Sequence, residues 1–136
     1  MFSITAPHTF FVDLVGTCNL RCPSCPIGNT GHTVLPRDAM SLEMLDQIVK
    51  KAKRELGHVA FHLYNWTEPL IHPKIGEAIE TVLKNGVACH LSTNLNLDKH
   101  LADVARAAPT SIRVSTSGFN QETYSTTHKG GDIEKV

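Results

Sequence analysis

Three of the four cysteines fall within eight residues, at Cys18, Cys22 and Cys25, while Cys89 stands alone. Their spacing is C-x3-C-x2-C. Thiolates are soft anionic ligands suited to iron–sulfur clusters and zinc. Three sulfurs on one short loop can hold three irons of a four-iron cluster and leave the fourth open to an exogenous group, as an open catalytic zinc site does. A structural zinc site needs a fourth ligand, and His32, seven residues beyond Cys25, is the nearest candidate. Cys22-Pro23-Ser24-Cys25 also reads as a C-x-x-C redox pair, which leaves Cys18 unexplained. An uneven, crowded pattern argues against a secreted disulfide framework and for a reducing compartment, the cytoplasm. Cys89, among Val87, Ala88 and Leu91, reads as core.

These cysteines sit on a segment of about 25 residues between Val15 and Ser41 that has no periodic pattern. So long a structureless connection is often functional. The elements around it alternate. Strand-type runs cover His8–Val15, Val59–Tyr64, Val87–Ser92 and Ser111–Ser115. They are mostly apolar, which suits strands covered on both faces. Ser41 caps a helical stripe of Leu42, Leu45, Ile48, Val49, Ala52 and Leu56 that Gly57 closes. Ile75, Ala78, Ile79, Val82 and Leu83 form a second stripe, closed by Gly86. A third, with Asp98 as its cap, uses Leu101, Val104, Ala105 and Ala108 before Pro109. Gln121–Tyr124 and Asp132–Val136 begin further turns of helix. The order β-α-β-α-β-α-β gives an α/β fold, a parallel sheet with right-handed crossovers and outer helices. The cysteine loop then leaves the C-terminal end of the first strand, the rim where such sheets and barrels place their chemistry.

Composition sets the outer limits. Of 136 residues, 41% are hydrophobic, enough for a core, and thirteen Lys and Arg balance thirteen Asp and Glu. Zero net charge offers no electrostatic case for a nucleic acid or an anionic membrane. Asp13 interrupts the longest apolar run far below the ~20 residues of a spanning helix, and Met1 to Thr9 lacks the basic start of a signal peptide.

A C-x3-C-x2-C motif directly after a first β-strand resembles the signature of radical S-adenosylmethionine (radical SAM) enzymes. The phrase Cys18-Asn19-Leu20-Arg21-Cys22-Pro23-Ser24-Cys25-Pro26 is similar to the branch with molybdenum-cofactor synthesis proteins and SPASM-type enzymes. Tyr64-Asn65-Trp66-Thr67-Glu68-Pro69 resembles the family's Gly-Gly-Glu-Pro segment in its Asn-Trp-Gly-Glu-Pro form, with Thr67 in place of Gly. Ser92-Thr93-Asn94-Leu95 resembles Thr-Asn-Gly, with Leu95 in place of Gly, and Ser115 matches a polar position at the end of strand four. The resemblance implies that Cys18, Cys22 and Cys25 bind a [4Fe–4S] cluster. It implies that Asn65, Thr67, Glu68, Ser92, Asn94 and Ser115 contact SAM, with Glu68 on the methionine amino group. Read alone, Glu68 has a lesser second reading as a helix-start acid, the other polar residues are equally turn or cap residues, and Ser24 is a residue that reaches adenine only through backbone.

The implied chemistry is reductive cleavage of SAM to methionine and a 5′-deoxyadenosyl radical, which abstracts hydrogen from a small-molecule or peptide substrate. An electron donor such as a flavodoxin or ferredoxin is implied too. The family's core is a (β/α)6 partial TIM-type barrel, and this chain carries four β/α units. The expectation is one incomplete core domain over residues 1–136, inactive alone or completed by another chain, with the fourth strand as an edge. A non-catalytic iron–sulfur or zinc module and a thiol redox protein are the alternatives.

Overall fold

The computed structural model describes residues 6–30 and 38–136. His32 lies outside them. Four strands, β1 (His8–Phe11), β2 (Val59–His62), β3 (Ala88–Thr93) and β4 (Ser111–Val114), form one parallel sheet in the order β1-β2-β3-β4. Each neighbour follows in sequence, because a short right-handed crossover sets the next strand beside the last. The register aligns Phe11 with His62, His62 with His90, and His90 with Ser111. The sheet is unclosed and β4 is one of its edges, as expected of a partial barrel.

Helix α1 (Pro26–Asn29) is a single turn inside the cysteine segment, where no periodicity marks it. Helix α2 (Leu42–Leu56) starts where Ser41 Oγ accepts from Met44 N at 3.1 Å. It ends at Gly57, whose φ of 72° lies in the left-handed region that glycine tolerates. Helix α3 (Ile75–Leu83) buries Ile75, Ala78, Ile79 and Val82. Helix α4 (Leu101–Ala107) begins later than the sequence suggests. Asp98 closes a turn through its carbonyl, which accepts from Leu101 N, and the N-cap position falls on His100 with no side-chain bond. Helix α5 (Gln121–Thr127) follows β4, capped by Asn120, and Asp132 caps a 3-10 turn at Ile133–Lys135.

The core lies between the sheet and α2, α3 and α4. Phe61, Leu63, Cys89 and Leu91 are fully buried on the helix side with Val49, Ile79 and Val82. Phe10 stacks on Phe61 at 5.0 Å. Strand β3 alternates instead of being covered on both faces: Cys89, Leu91 and Thr93 are buried, while Ala88, His90 and Ser92 are half-open. All of β4 is exposed, because no helix of the described residues covers Ile112 and Val114.

Candidate functional site

The strands shorten relative to the sequence reading because their C-terminal residues leave the ladder to build a rim. After Val12, whose N still donates to His62 O at 2.9 Å, the chain leaves β2, and Val15 bridges Ala39 in antiparallel fashion, which closes the cysteine segment at its base. Leu20 and Ile27 anchor that segment through buried side chains. Its backbone is tied across the rim twice. Glu68 N donates to Thr17 O at 3.2 Å, and Arg21 N donates to Lys129 O at 2.9 Å. Helix α1 packs so closely on the loop that a Cβ at Gly28 would come within 2.5 Å of Cys22 N. Only glycine allows that approach.

Cys18, Cys22 and Cys25 line one cleft of about 490 Å³, together with Asn65, Thr67, Glu68, Ser92, Asn94 and Ser115. Every one of the nine residues singled out from the sequence is on its wall, and Cys89 is not. That volume is in the range of small-molecule sites. Among the described residues no three His, Cys, Asp or Glu side chains gather tightly enough to hold one metal ion. The thiols face a shared space without closing on a point. Cys18 accepts from Leu20 N at 3.5 Å and from Asn94 Nδ2 at 3.8 Å. Cys25 Sγ donates to Trp66 O at 3.5 Å. Burial pushes the Cys18 thiol up to about 11, and burial with the neighbouring Cys25 raises Cys22. Such thiols stay protonated near neutral pH unless a cation takes the proton's place, which a metal centre does.

Glu68 is 3% exposed, and its carboxylate is largely committed to the chain itself. Oε1 accepts from Leu70 N at 3.1 Å and from Thr93 Oγ1 at 2.7 Å, and Oε2 accepts from Asn94 N at 2.9 Å. It thus caps the 3-10 turn Pro69–Ile71 and pins the end of β3 to the end of β2. Burial still raises its pKa above the ordinary carboxylate value. A carboxylate offers about four acceptor sites, so one on Oε2 is left for a further donor. Asn94 pairs with Asn19 of the cysteine loop, its Nδ2 donating to Asn19 Oδ1 at 2.9 Å. The two loops are therefore one unit.

Two departures from the resembled motifs resolve differently. Thr67 has an ordinary negative φ, so its backbone makes no demand for glycine, and its Oγ1 donates to Asp13 Oδ1 at 2.7 Å. Leu95 has a φ of 53°, in the left-handed region where glycine is favoured.

Sequence reasoning passed over the residue that organises this rim. Asp13 Oδ1 accepts from the backbone N–H of Asn65, Trp66 and Thr67 at 3.0 to 3.1 Å. Three successive amides are held by one carboxylate at the end of the neighbouring strand. The signal was present: an acid inside the apolar run Phe10-Phe11-Val12-Asp13-Leu14-Val15. His128 was passed over as well. It lines the cleft, stacks on Tyr124 at 4.6 Å, and bonds Ser117 Oγ through Nδ1 at 3.0 Å. Tyr124 is fully buried and accepts from Asn96 Nδ2 at 2.8 Å, so α5 is fastened to the loop after β3.

The family model of the radical SAM superfamily matches residues 12–136. Among solved structures, the chain is similar to Streptococcus suis SuiB bound to the precursor peptide SuiA. The TM-score is 0.77 at 15% identity, over 95% of this chain and 28% of that one. It is also similar to BtrN in complex with AdoMet and 2-DOIA, with a TM-score of 0.64 at 15% identity, over 92% of this chain and 49% of that one. TYW1 with a lysine-pyruvate adduct gives 0.64 at 20% identity, over 94% and 48%. The chain therefore spans less than half the length of each of these proteins. At these identities the likeness shows the fold. No curated protein sequence matches the chain significantly.

Proposed function

The chain belongs to the radical SAM superfamily, and from that premise we propose that its cleft holds a [4Fe–4S] cluster on Cys18, Cys22 and Cys25 with SAM beside it. Membership implies SAM-dependent radical chemistry. The observation that carries the residue assignment is the convergence of nine residues from four separate strand ends on one cleft wall.

When bound, the cluster and SAM supply one-electron cleavage of SAM to methionine and a radical that takes hydrogen from a substrate. The chain's own part is to bind, orient and exclude. Cys18, Cys22 and Cys25 would hold three irons as thiolates, each thiol releasing its proton to solvent on binding. Asn65, Thr67 and Glu68 receive the amino-acid end of SAM. There Glu68 has one acceptor site left for an ammonium group, and charge-assisted bonds are the strong kind. Ser92, Asn94 and Ser115 serve its carboxylate or ribose. Asp13 is a positioning residue that fixes the backbone of Asn65 to Thr67 before any ligand arrives. A flavodoxin- or ferredoxin-type donor supplies the electron.

Counting iron and sulfide per chain after anaerobic reconstitution tests the ligand set. Cys18→Ala, Cys22→Ala and Cys25→Ala each lose the stable four-iron cluster, because each removes one of three anchors. Cys89→Ala keeps it. Equal iron loss in Cys89→Ala, or full iron retention in any of the other three, contradicts the assignment.

A further inference from the structure

The sheet face opposite the helices carries a set of cationic and imidazole groups that the SAM site does not use. His62, His90 and Arg113 come from three adjacent strands. His62 and Tyr64 share a face by the two-residue period, as do His90 and Ser92, and Ser111 and Arg113. Tyr64 and Ser92 line the cleft, so the histidines lie one step, about 7 Å, further along the same face.

The two imidazoles stack at 4.6 Å between ring centroids. Their Nδ1 atoms are each fixed by a hydroxyl, His62 by Tyr64 at 3.0 Å and His90 by Ser111 at 2.8 Å. That leaves both Nε2 atoms without a hydrogen-bond partner among the described residues. Arg113 pairs with Ser92 in the ladder, is exposed, and forms no ion pair among the described residues. The twelve residues outside the described set contain no Asp or Glu. Burial first, and then the nearby His90 and Arg113, lower the pKa of His62 below the ordinary imidazole value. Asp13, the acid at the neighbouring strand end, is engaged by the amides of Asn65 to Thr67. Three groups able to carry positive charge thus gather on the wall adjoining the cleft with no counterion among the described residues.

We propose that this row, His62, His90 and Arg113, binds an oxyanion, a phosphate or carboxylate, on the substrate of the radical reaction. The guanidinium supplies a fixed fork of donors, and each imidazole adds an Nε2–H in the tautomer whose Nδ1 accepts from its hydroxyl. The anchored group would hold the substrate on the sheet face while its reacting carbon lies toward Tyr64 and Ser92, beside the cofactor cleft. This rests on the reading of that cleft as the SAM site.

The test is anaerobic calorimetry of inorganic phosphate against the reconstituted chain, with SAM saturating so that the open iron position is filled. Saturable binding is expected. It should weaken about tenfold in Arg113→Gln and measurably in His90→Gln, as for loss of a charge-assisted bond, and stay unchanged in Lys51→Gln on the outer helix α2. Absence of saturable binding, an unchanged affinity in Arg113→Gln, or an equal loss in Lys51→Gln overturns the proposal. The SAM-induced change in the cluster's spectrum, recorded on the same wild-type sample, separates the two readings. If it is present and phosphate does not bind, the oxyanion row alone fails. If it is absent, the SAM site fails and the proposal goes with it.

Discussion

Phe61 and His62 are neighbours on one strand and sit in opposite surroundings. Phe61 is fully buried against α2 and α3, stacked on Phe10. His62 is half-open on the other face, against His90, Phe11 and Tyr64. The same contrast holds for Cys89 and His90 on β3. On the helix side burial raises the Cys89 thiol to about 12, so it is an inert apolar filler. At the rim three other cysteines face a cleft. The two faces divide the work. The helix side makes the sheet rigid, and the open side and its rim display polar groups that a packed core could not tolerate unpaired. Yet nothing buried is wasted: among the described residues no buried side-chain nitrogen or oxygen lacks a partner.

This contrast can be broken by substitution. The largest stability effect belongs to the helix side. Phe61→Ala should cost about 3–5 kcal/mol, as large-to-small core changes do, whereas His62→Ala, half-open and held by one hydroxyl bond, should cost about 1 kcal/mol. Urea unfolding of both variants checks it, and similar costs would erase the distinction between the faces. Next comes the rim. Asp13→Ala removes the acceptor of three amides and a hydroxyl. It should lower SAM affinity of the reconstituted chain about tenfold and stability by about 1–3 kcal/mol. Asp13→Asn, which keeps one acceptor oxygen, should recover part of both, as befits a group that acts through the backbone it holds. The smallest effect is a gain. Leu95→Gly relieves a left-handed backbone at a residue outside the apolar core, and should stabilise the chain by up to about 1 kcal/mol. A loss of stability on denaturation would mean that the Leu95 side chain contributes more than its strain costs.

Much of the architecture was legible because parallel βα units write a coarse pattern. Apolar runs alternate with 3.6-residue stripes, and Ser41 and Gly57 bound α2 as their chemistry requires. The cysteines and the three strand-end motifs were legible because each is a local string of residues. What was hidden is what depends on distant pairs. The bond between Asp13 and Asn65 to Thr67 spans more than fifty positions. The Asn19–Asn94 pair and the Arg21–Lys129 tie are likewise non-local. Glu68 carried two readings, helix-start acid and ligand contact. Its capping of Pro69–Ile71 is now visible, together with a cross-strand bond to Thr93 that neither reading contained. The one-turn helix α1 is too short to have a period, and its place rests on the burial of Ile27 and on the close approach that Gly28 allows. The alternation of β3 was obscured because His90 and Ser92 fall between apolar residues in a strand read as covered on both sides.

The central claim is that the cysteine loop and the ends of β2, β3 and β4 form one site in which a cluster meets SAM. Electron paramagnetic resonance of the anaerobically reconstituted and reduced chain, with and without SAM, addresses it directly. The account predicts a four-iron signal from the wild-type chain whose shape changes on addition of SAM, with a weaker response to the same SAM concentration in Asp13→Ala. A four-iron signal that SAM leaves unaltered at saturating concentration, or a colourless zinc-loaded chain that takes up no iron, would contradict it.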